Sequence, residues 1–389
     1  MTRNARRAIP VLLAGVVGST HAQSSVVLYG IIDESIQYVH NVANSSGSND
    51  NKLGMYAGNI QGDRFGLRGS EDLGNSLKAV FQLENGFNVN SGQLGQGGRM
   101  FGRQAYVGMS SDTFGKLTAG RQYDPLVDLI QPLTGTGTWG STFAAPGDVD
   151  NNDNGSRINN SLKYVSPNLG GARLEAMYAF GGVAGQSGSG QTWALAGQYS
   201  GGGLSAAAGY FYADNASSNI PRATSSSPWD GTTDGNFNTI VTGGAKTAKA
   251  YGIASAALTY TLGPAIMGAR YSNARYIPDA ASAFHETETF NTAVGYLGYQ
   301  FSPVLLVAAQ YNYTHATGQA AATYHQFSLG ADYNLSKRTD FYLLGIYQHM
   351  NGDQIGNDPG SASAADYAYT AAPGTHSQEI VSAGIRHKF

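Results

Sequence analysis

Beyond residue 23 the chain reads as about sixteen segments of roughly ten residues, alternating in polarity with period two and bounded by Gly/Asn/Ser/Asp clusters. No run of 18 apolar residues occurs among them, whereas a bilayer-spanning helix needs about 20. That excludes a helical membrane protein. Strands remain possible, since about 9–11 tilted residues cross a bilayer. The closing segment IVSAGIRHKF (380–389) shows the alternation best. Val381, Ala383, Ile385, His387 and Phe389 share one face, and Ile380, Ser382, Gly384, Arg386 and Lys388 the other. A soluble sandwich strand alternates in the same way, so the pattern alone leaves both architectures open.

The connections separate them. Short links at 71–75, 110–115, 167–171, 200–203, 262–264, 301–303 and 335–338 alternate with long stretches near 41–51, 91–98, 124–156, 181–190, 213–245, 278–285, 317–322 and 351–374. A sandwich has no reason to sort its loops this strictly, whereas an outer-membrane barrel has short periplasmic turns and long extracellular loops. The expected fold is therefore all-β, a 16-stranded antiparallel transmembrane β-barrel, with 52–70 as its second strand. An even count returns both ends to the short-turn side. Eight strands would fill their interior with side chains, but sixteen leave an aqueous channel, so a water-filled pore is the default function. The Ser/Thr/Asn/Gly-rich stretch 213–245 lies between two strands and is read as an extracellular loop rather than a linker.

At the N-terminus Arg3, Arg6 and Arg7 precede an apolar run from Ala8 to Gly18, and Thr20-His21-Ala22 places small residues where a signal peptidase reads. Residues 1–22 are expected to be a cleaved export signal and 23–389 the barrel. Removing three of the 23 basic residues leaves 20 against 26 acidic ones, a formal charge of about −6. That balance, with no basic stripe, argues against nucleic-acid binding. The absence of cysteine in a chain expected in an oxidising compartment implies a large fold without covalent staples. Plentiful Gly (53) and Tyr (24) suit strands and tight turns.

Several ordered motifs together resemble one family. RFGLRGSEDLG (64–74), SLKAVFQLENGF (76–87), FGRQAYVGM (101–109), GKLTAGRQYDPL (115–126) and SRINNSLKYVSP (156–167) are similar to Gram-negative general porins of the β-proteobacterial type. The opening SSVVLYGIIDESIQYV (24–39) and closing GIRHKF (384–389) look like that family's first and last strands. The resemblance implies a homotrimer in outer-membrane lipid and passive passage of ions and small hydrophilic solutes. It also implies a third loop, here about 124–156, folded into the barrel. The last strand, ending in Phe389, is expected to be read by the barrel-assembly machinery.

Alternation assigns part of the pore lining. Phe65 and Leu67 share one face of RFGLRG, so Arg64 and Arg68 face water. Leu77, Ala79, Phe81 and Leu83 face outward, which leaves Lys78, Gln82 and Glu84 in the lumen. A charge on the lipid face near midplane would cost about 2–4 kcal/mol. Arg103 and Arg157 begin later strands beside long loops. In similar porins an arginine cluster and a glutamate face the third loop, and Arg64, Arg103, Arg157 and Glu84 match those places. Arg121 joins the wall only if a bulge or strand end reverses it, since alternation with Leu117 and Ala119 points it outward. The third loop carries Asp124, Asp128, Asp148, Asp150 and Asp153 with Trp139 and Phe143. Asp124, Asp128 and Asp148 are the loop acids expected at the constriction, although no Pro-Glu-Phe-Gly tip identifies which acids reach the lumen. Acids opposite arginines would set up a transverse field, one way such pores select ions.

No HExxH or His-x-x-x-His pattern occurs, so no metal or other cofactor is expected. His285 and His315 read as rim residues, and GQSGSGQT (185–192) has Gln191 where a phosphate loop needs lysine. Tyr29, Tyr38, Tyr178, Phe180, Tyr199, Tyr210 and Phe301 read as interfacial girdles. No catalytic constellation supports an enzyme. A substrate-specific channel for sugars or carboxylates stays open as the alternative, and a barrel enzyme or adhesin is the remoter one. The sign of ion selectivity is open too, because wall arginines and the acidic overall charge point in opposite directions.

Overall fold

The computed structural model describes residues 25–182, 184–215, 239–357 and 370–389. The expected export signal, 1–22, lies outside the described residues. Among the described residues seventeen strands form one antiparallel sheet: β1 (Ser25–Ala43), β2 (Asn49–Ala57), β3 (Arg64–Gly74), β4 (Leu77–Gly86), β5 (Gln104–Ser111), β6 (Gly115–Gln122), β7 (Ile158–Val165), β8 (Ala172–Ala179), β9 (Thr192–Gly201), β10 (Leu204–Asp214), β11 (Ala250–Leu262), β12 (Ala265–Ile277), β13 (Glu288–Ser302), β14 (Leu305–Thr317), β15 (Ala322–Asn334), β16 (Thr339–Gly352) and β17 (Ser377–Lys388). From β3 to β17 each strand pairs with its sequence neighbours, and β17 pairs with β1 to close the ring. β2 and β3 both pair with β1, at opposite ends of it, and together form one stave. The barrel therefore has sixteen staves.

The expected continuous strand 52–70 is broken at 58–63, and the cause is local. The carboxylate of Asp33 accepts the backbone N–H groups of Ile60 (2.8 Å) and Gln61 (2.7 Å), while Asp63 accepts that of Asp33 (2.7 Å). Gly58, at φ +70°, makes the turn. The break swings Ile60 inward, where it packs with Trp139, Phe143 and Leu344.

Leu28, Ile36, Leu53, Val107, Leu195, Leu297, Leu329 and Leu343 stand exposed on the outer face, the position alternation assigns to lipid. Short turns join β3–β4, β5–β6, β9–β10, β11–β12 and β13–β14, and most connections at the opposite rim are longer, with the β14–β15 link (318–321) as an exception. The β9–β10 turn holds Gly202 and Gly203 at φ +60° and +86°, the pair of positive φ values that a two-residue hairpin matched to strand twist requires. Ring closure is completed at the C-terminus. Phe389 exchanges backbone hydrogen bonds with Gly30 in both directions at 3.0 Å, and its ring lies over Gly30, where a Cβ would sit 2.2 Å from Cζ.

The interior is not uniformly polar. Leu126, Leu129 and Ile130 of the third loop pack against inward-facing Phe211 and Ile253. This corrects a simple apolar-out, polar-in reading for β10 and β11. The loop covers that stretch of wall, so its side chains form a packed core instead of meeting water.

Candidate functional site

Loop 123–157 is seated against one wall. Its carbonyls accept hydrogen bonds from inward-facing amides and hydroxyls: Gln310 to Phe143 (2.5 Å), Asn312 to Ala144 (2.9 Å), Gln326 to Ala144 (3.0 Å) and Ser328 to Thr142 (2.9 Å). The Tyr276 hydroxyl donates to Val149 O (2.9 Å), and Trp139 Nε1 donates to the Tyr296 hydroxyl (3.3 Å). Asp150 forms a buried ion pair with Arg270 and accepts from Ser272. Period-two alternation puts these residues of β12–β15 in the lumen, and each meets a carbonyl, a carboxylate or, for Tyr296, an indole N–H that would otherwise be buried unpaired. Gly330 leaves room for Trp139, since a Cβ there would lie 2.7 Å from the indole. The turn at Gly140, φ +67°, rests on the carbonyls of Asn59 and Ile60 from the broken stave.

The opposite wall, β3 to β7, stays open. Between it and the loop lies a cavity of about 300 Å³, lined by Arg64, Arg103, Arg157, Tyr123 and, from the loop, Asp153. Glu84 organises the wall beneath it. It accepts from Arg103 Nε (2.9 Å), the Tyr29 hydroxyl (2.7 Å) and the Tyr123 hydroxyl (2.8 Å). The Tyr123 ring has the guanidinium carbons of Arg103 and Arg157 at 5.7 and 5.8 Å from its centroid, within cation–π range. Arg64 Nε donates to Gly62 O (3.0 Å) and makes no ion pair among the described residues. Three guanidinium groups therefore face one loop acid across the cavity, and Glu84 offsets one of them. The arrangement can attract anions and orient carboxylate or phosphate groups.

The structure brings together Arg64, Glu84, Arg103 and Arg157 and distributes the other expected residues elsewhere. Arg68 lies lower on the same face of β3, its guanidinium 5.2 Å over the Tyr29 ring. Lys78 is exposed beside the short β3–β4 turn, in register with Asp72. Arg121 is not in the cavity. It shares a row with Leu67, Leu83 and Ala105, the outward face, and binds Gly102 O (2.8 Å) and Asn159 (2.5 Å). The register against β7 shifts between Gly120 and Gln122, and the Arg121 side chain is buried.

The loop acids are mostly spent inside the loop. Asp124 caps the helix Pro125–Leu129, accepting from Leu126 N (2.8 Å) and Val127 N (3.2 Å), with Asn151 on its other oxygen (3.0 Å). Burial pushes its carboxyl up to about 6, even though the cap hydrogen bonds pull the other way. Asp148, at φ +47°, accepts from Asp153 N and Gly155 N. Burial, with Asp153 and Asp150 close by, pushes it well above the carboxylate range. Asp128 does meet the lumen, paired with Lys163, but in a separate cavity. Asp153 is the loop acid beside the arginines.

Tyr123 escaped sequence reasoning, since nothing in GRQYDP marks a residue just past a strand end as lumen-facing. Tyr29, read as a girdle residue, faces the lumen instead. Alternation with exposed Leu28 and buried Asp33 carried that signal. Tyr38, Tyr199, Tyr210 and Phe301 are exposed on the outer face, as girdle residues should be.

Comparison with known proteins gives a consistent answer. A family profile described as Gram-negative porin matches residues 10–354. An outer membrane porin protein of Bordetella pertussis is 40% identical over 185 residues, covering 43% of this chain and 46% of that protein. Outer membrane porin protein 32 of Delftia acidovorans is 36% identical over 184 residues, covering 44% and 48%. These matches thus span about half the length of the curated relatives. In structure, an anion-selective porin from Comamonas acidovorans superposes with a TM-score of 0.71 at 25% identity, over 94% of this chain and all (100%) of that one. OmpT of Vibrio cholerae shares the fold alone, with a TM-score of 0.61 at 16% identity over 95% and 99%.

Proposed function

This chain belongs to the family of Gram-negative porins of the outer membrane, and from that premise we propose that it forms a water-filled channel for passive diffusion of ions and small hydrophilic solutes, with a preference for anions. The observation that carries the reading is the open cavity in which Arg64, Arg103 and Arg157 face Asp153. Cations fixed on a narrow wall raise the local concentration of small anions. The burial of Asp124 and Asp148 removes the acids that would oppose them, and Lys163 neutralises Asp128. The anion selectivity of the Comamonas acidovorans porin is a property of that protein and agrees in sign. The functional unit is a homotrimer, residues 1–22 direct export, and the closing strand with Phe389 is the segment read during assembly. The protein is a channel and not an enzyme.

Liposome swelling tests the reading. Proteoliposomes should admit sugars at rates that fall smoothly with solute size and do not saturate. Saturable uptake of one sugar or carboxylate would indicate a substrate-specific channel, and no swelling from a folded barrel would refute the pore. In planar bilayers, closure in three equal steps would support the trimer.

A further inference from the structure

The inward-facing cations of β6 to β8 form a second group, remote from the arginine cavity. Lys116 follows the β5–β6 turn by two residues, and Arg173 opens β8 after the β7–β8 turn, so both lie toward the short-turn rim. Lys163 sits between them on β7. Together with Tyr106, Gln104 and Asp128 they line a polar cavity of about 250 Å³. That is several times the ~30 Å³ a water molecule occupies in the liquid, enough for a small solute with part of its hydration shell.

The cations in this cavity have donors to spare. Lys163 Nζ donates to Tyr123 O (2.9 Å) and to Asp128, and an ammonium has a third proton. Arg173 Nη2 lies 2.8 Å from Glu175 Oε1, while nearly half of its side chain (45%) remains exposed. Lys116 makes no ion pair among the described residues; its Nζ lies 6.0 Å from the centroid of the Tyr106 ring. Asp128 is matched by Lys163 and Glu175 by Arg173, so Lys116 is the surplus positive charge. Holding loop 3 accounts for Lys163 but leaves a lumen lysine unexplained. A cation on a water-lined wall, flanked by a partly free guanidinium and a neutral amide, is a receptor for an oxyanion.

We propose that Lys116, Lys163 and Arg173 form a second anion station, on the short-turn side of loop 3, that binds a small oxyanion such as phosphate. An anion leaving the arginine cavity would meet it next, so passage runs through two sites in series. The proposal rests on the channel reading above.

The test is block of chloride current by inorganic phosphate, titrated on both sides of a bilayer holding the full-length protein's mature form. Wild type should show saturable block. Lys116→Gln and Arg173→Gln should each raise the half-blocking concentration about fivefold or more, roughly the loss of one charge-assisted hydrogen bond. Lys116→Arg should restore it, and Lys337→Gln, in an exposed short turn, should leave it unchanged. Heat-modifiable gel mobility verifies that each variant has folded, and Arg173→Gln serves if Lys116→Gln has not. Absence of block in wild type overturns the station, as does block retained in Lys116→Gln but lost in Arg64→Gln, which would place the anion in the arginine cavity. Absence of any current in wild type would instead refute the channel reading itself.

Discussion

The two walls of the lumen are built on the same alternation and do opposite things. Along β12 to β15 the inward residues are mostly neutral: Ser272, Gln310, Asn312, Gln326 and Ser328, with Tyr276 and Tyr296. They are consumed in holding loop 3, and the one cation among them, Arg270, is buried against Asp150. Along β3 to β8 the inward residues include Arg64, Lys116, Lys163 and Arg173, and these border open cavities. Neutral amides suit a clamp because they satisfy buried carbonyls without the desolvation cost of a charge. Cations suit the open side because there they stay hydrated, without the desolvation cost of burial, and raise the local concentration of anions. The difference teaches that the loop does more than narrow the pore: it hides one wall and leaves the charged one to face the solute.

The sharpest way to break this division is at the single ion pair of the clamp. Asp150→Ala should strand Arg270 in a buried site and cost about 3–5 kcal/mol in denaturant unfolding, with current turning from steady to flickering as loop 3 loosens. Unchanged stability would mean the loop is held by the neutral contacts alone.

Next comes Asp124, whose folded value of about 6 lies above its unfolded value of 3.8. The fold favours the protonated form of this loop carboxyl. The penalty is therefore absent below about pH 4, develops between about 4 and 6, and is complete above 6, reaching at most about 3 kcal/mol. Asp124→Asn retains an acceptor for the helix cap and should flatten stability across that window while raising it at pH 7. A less stable Asp124→Asn at pH 7 would show that the charge itself serves the cap. The smallest of these effects is expected at Gly330. Gly330→Leu should drive Trp139 from its seat and cost about 1–3 kcal/mol, read as a red shift in tryptophan emission and faster proteolysis within 135–145.

How much of this was legible beforehand follows the range of the interactions. The strands, their outward rows and the sorting of loop lengths are local, and the pattern at 380–389 or 64–68 suffices to place them. The break at 58–63 was missed because it depends on Asp33 reaching another strand. The apolar interior at Phe211 and Ile253 was missed because its partner is a loop about eighty and about 125 residues away in the chain, respectively. Of the expected wall residues, Arg64, Glu84, Arg103 and Arg157 come together, whereas Arg121 lies outside the lining of their cavity. The loop acids were least legible. Asp124 and Asp148 serve caps and turns, roles that composition cannot separate from facing the lumen, and Asp153 beside the arginines carries no mark in the sequence. Tyr123 owes its place to Glu84, on a strand two staves away.

Selectivity in this account is set by the arginines that line the cavity on the open wall. The direct measurement is the reversal potential in a salt gradient, for wild type and for Arg64→Gln/Arg157→Gln, which leaves the Arg103–Glu84 pair intact. Wild type should reverse on the anion-selective side, and the double variant should lose about threefold or more of its anion-to-cation permeability ratio, on the order expected for two charges in a partly hydrated lumen. A cation-selective wild type, or a double variant with an unaltered reversal potential, would contradict the account.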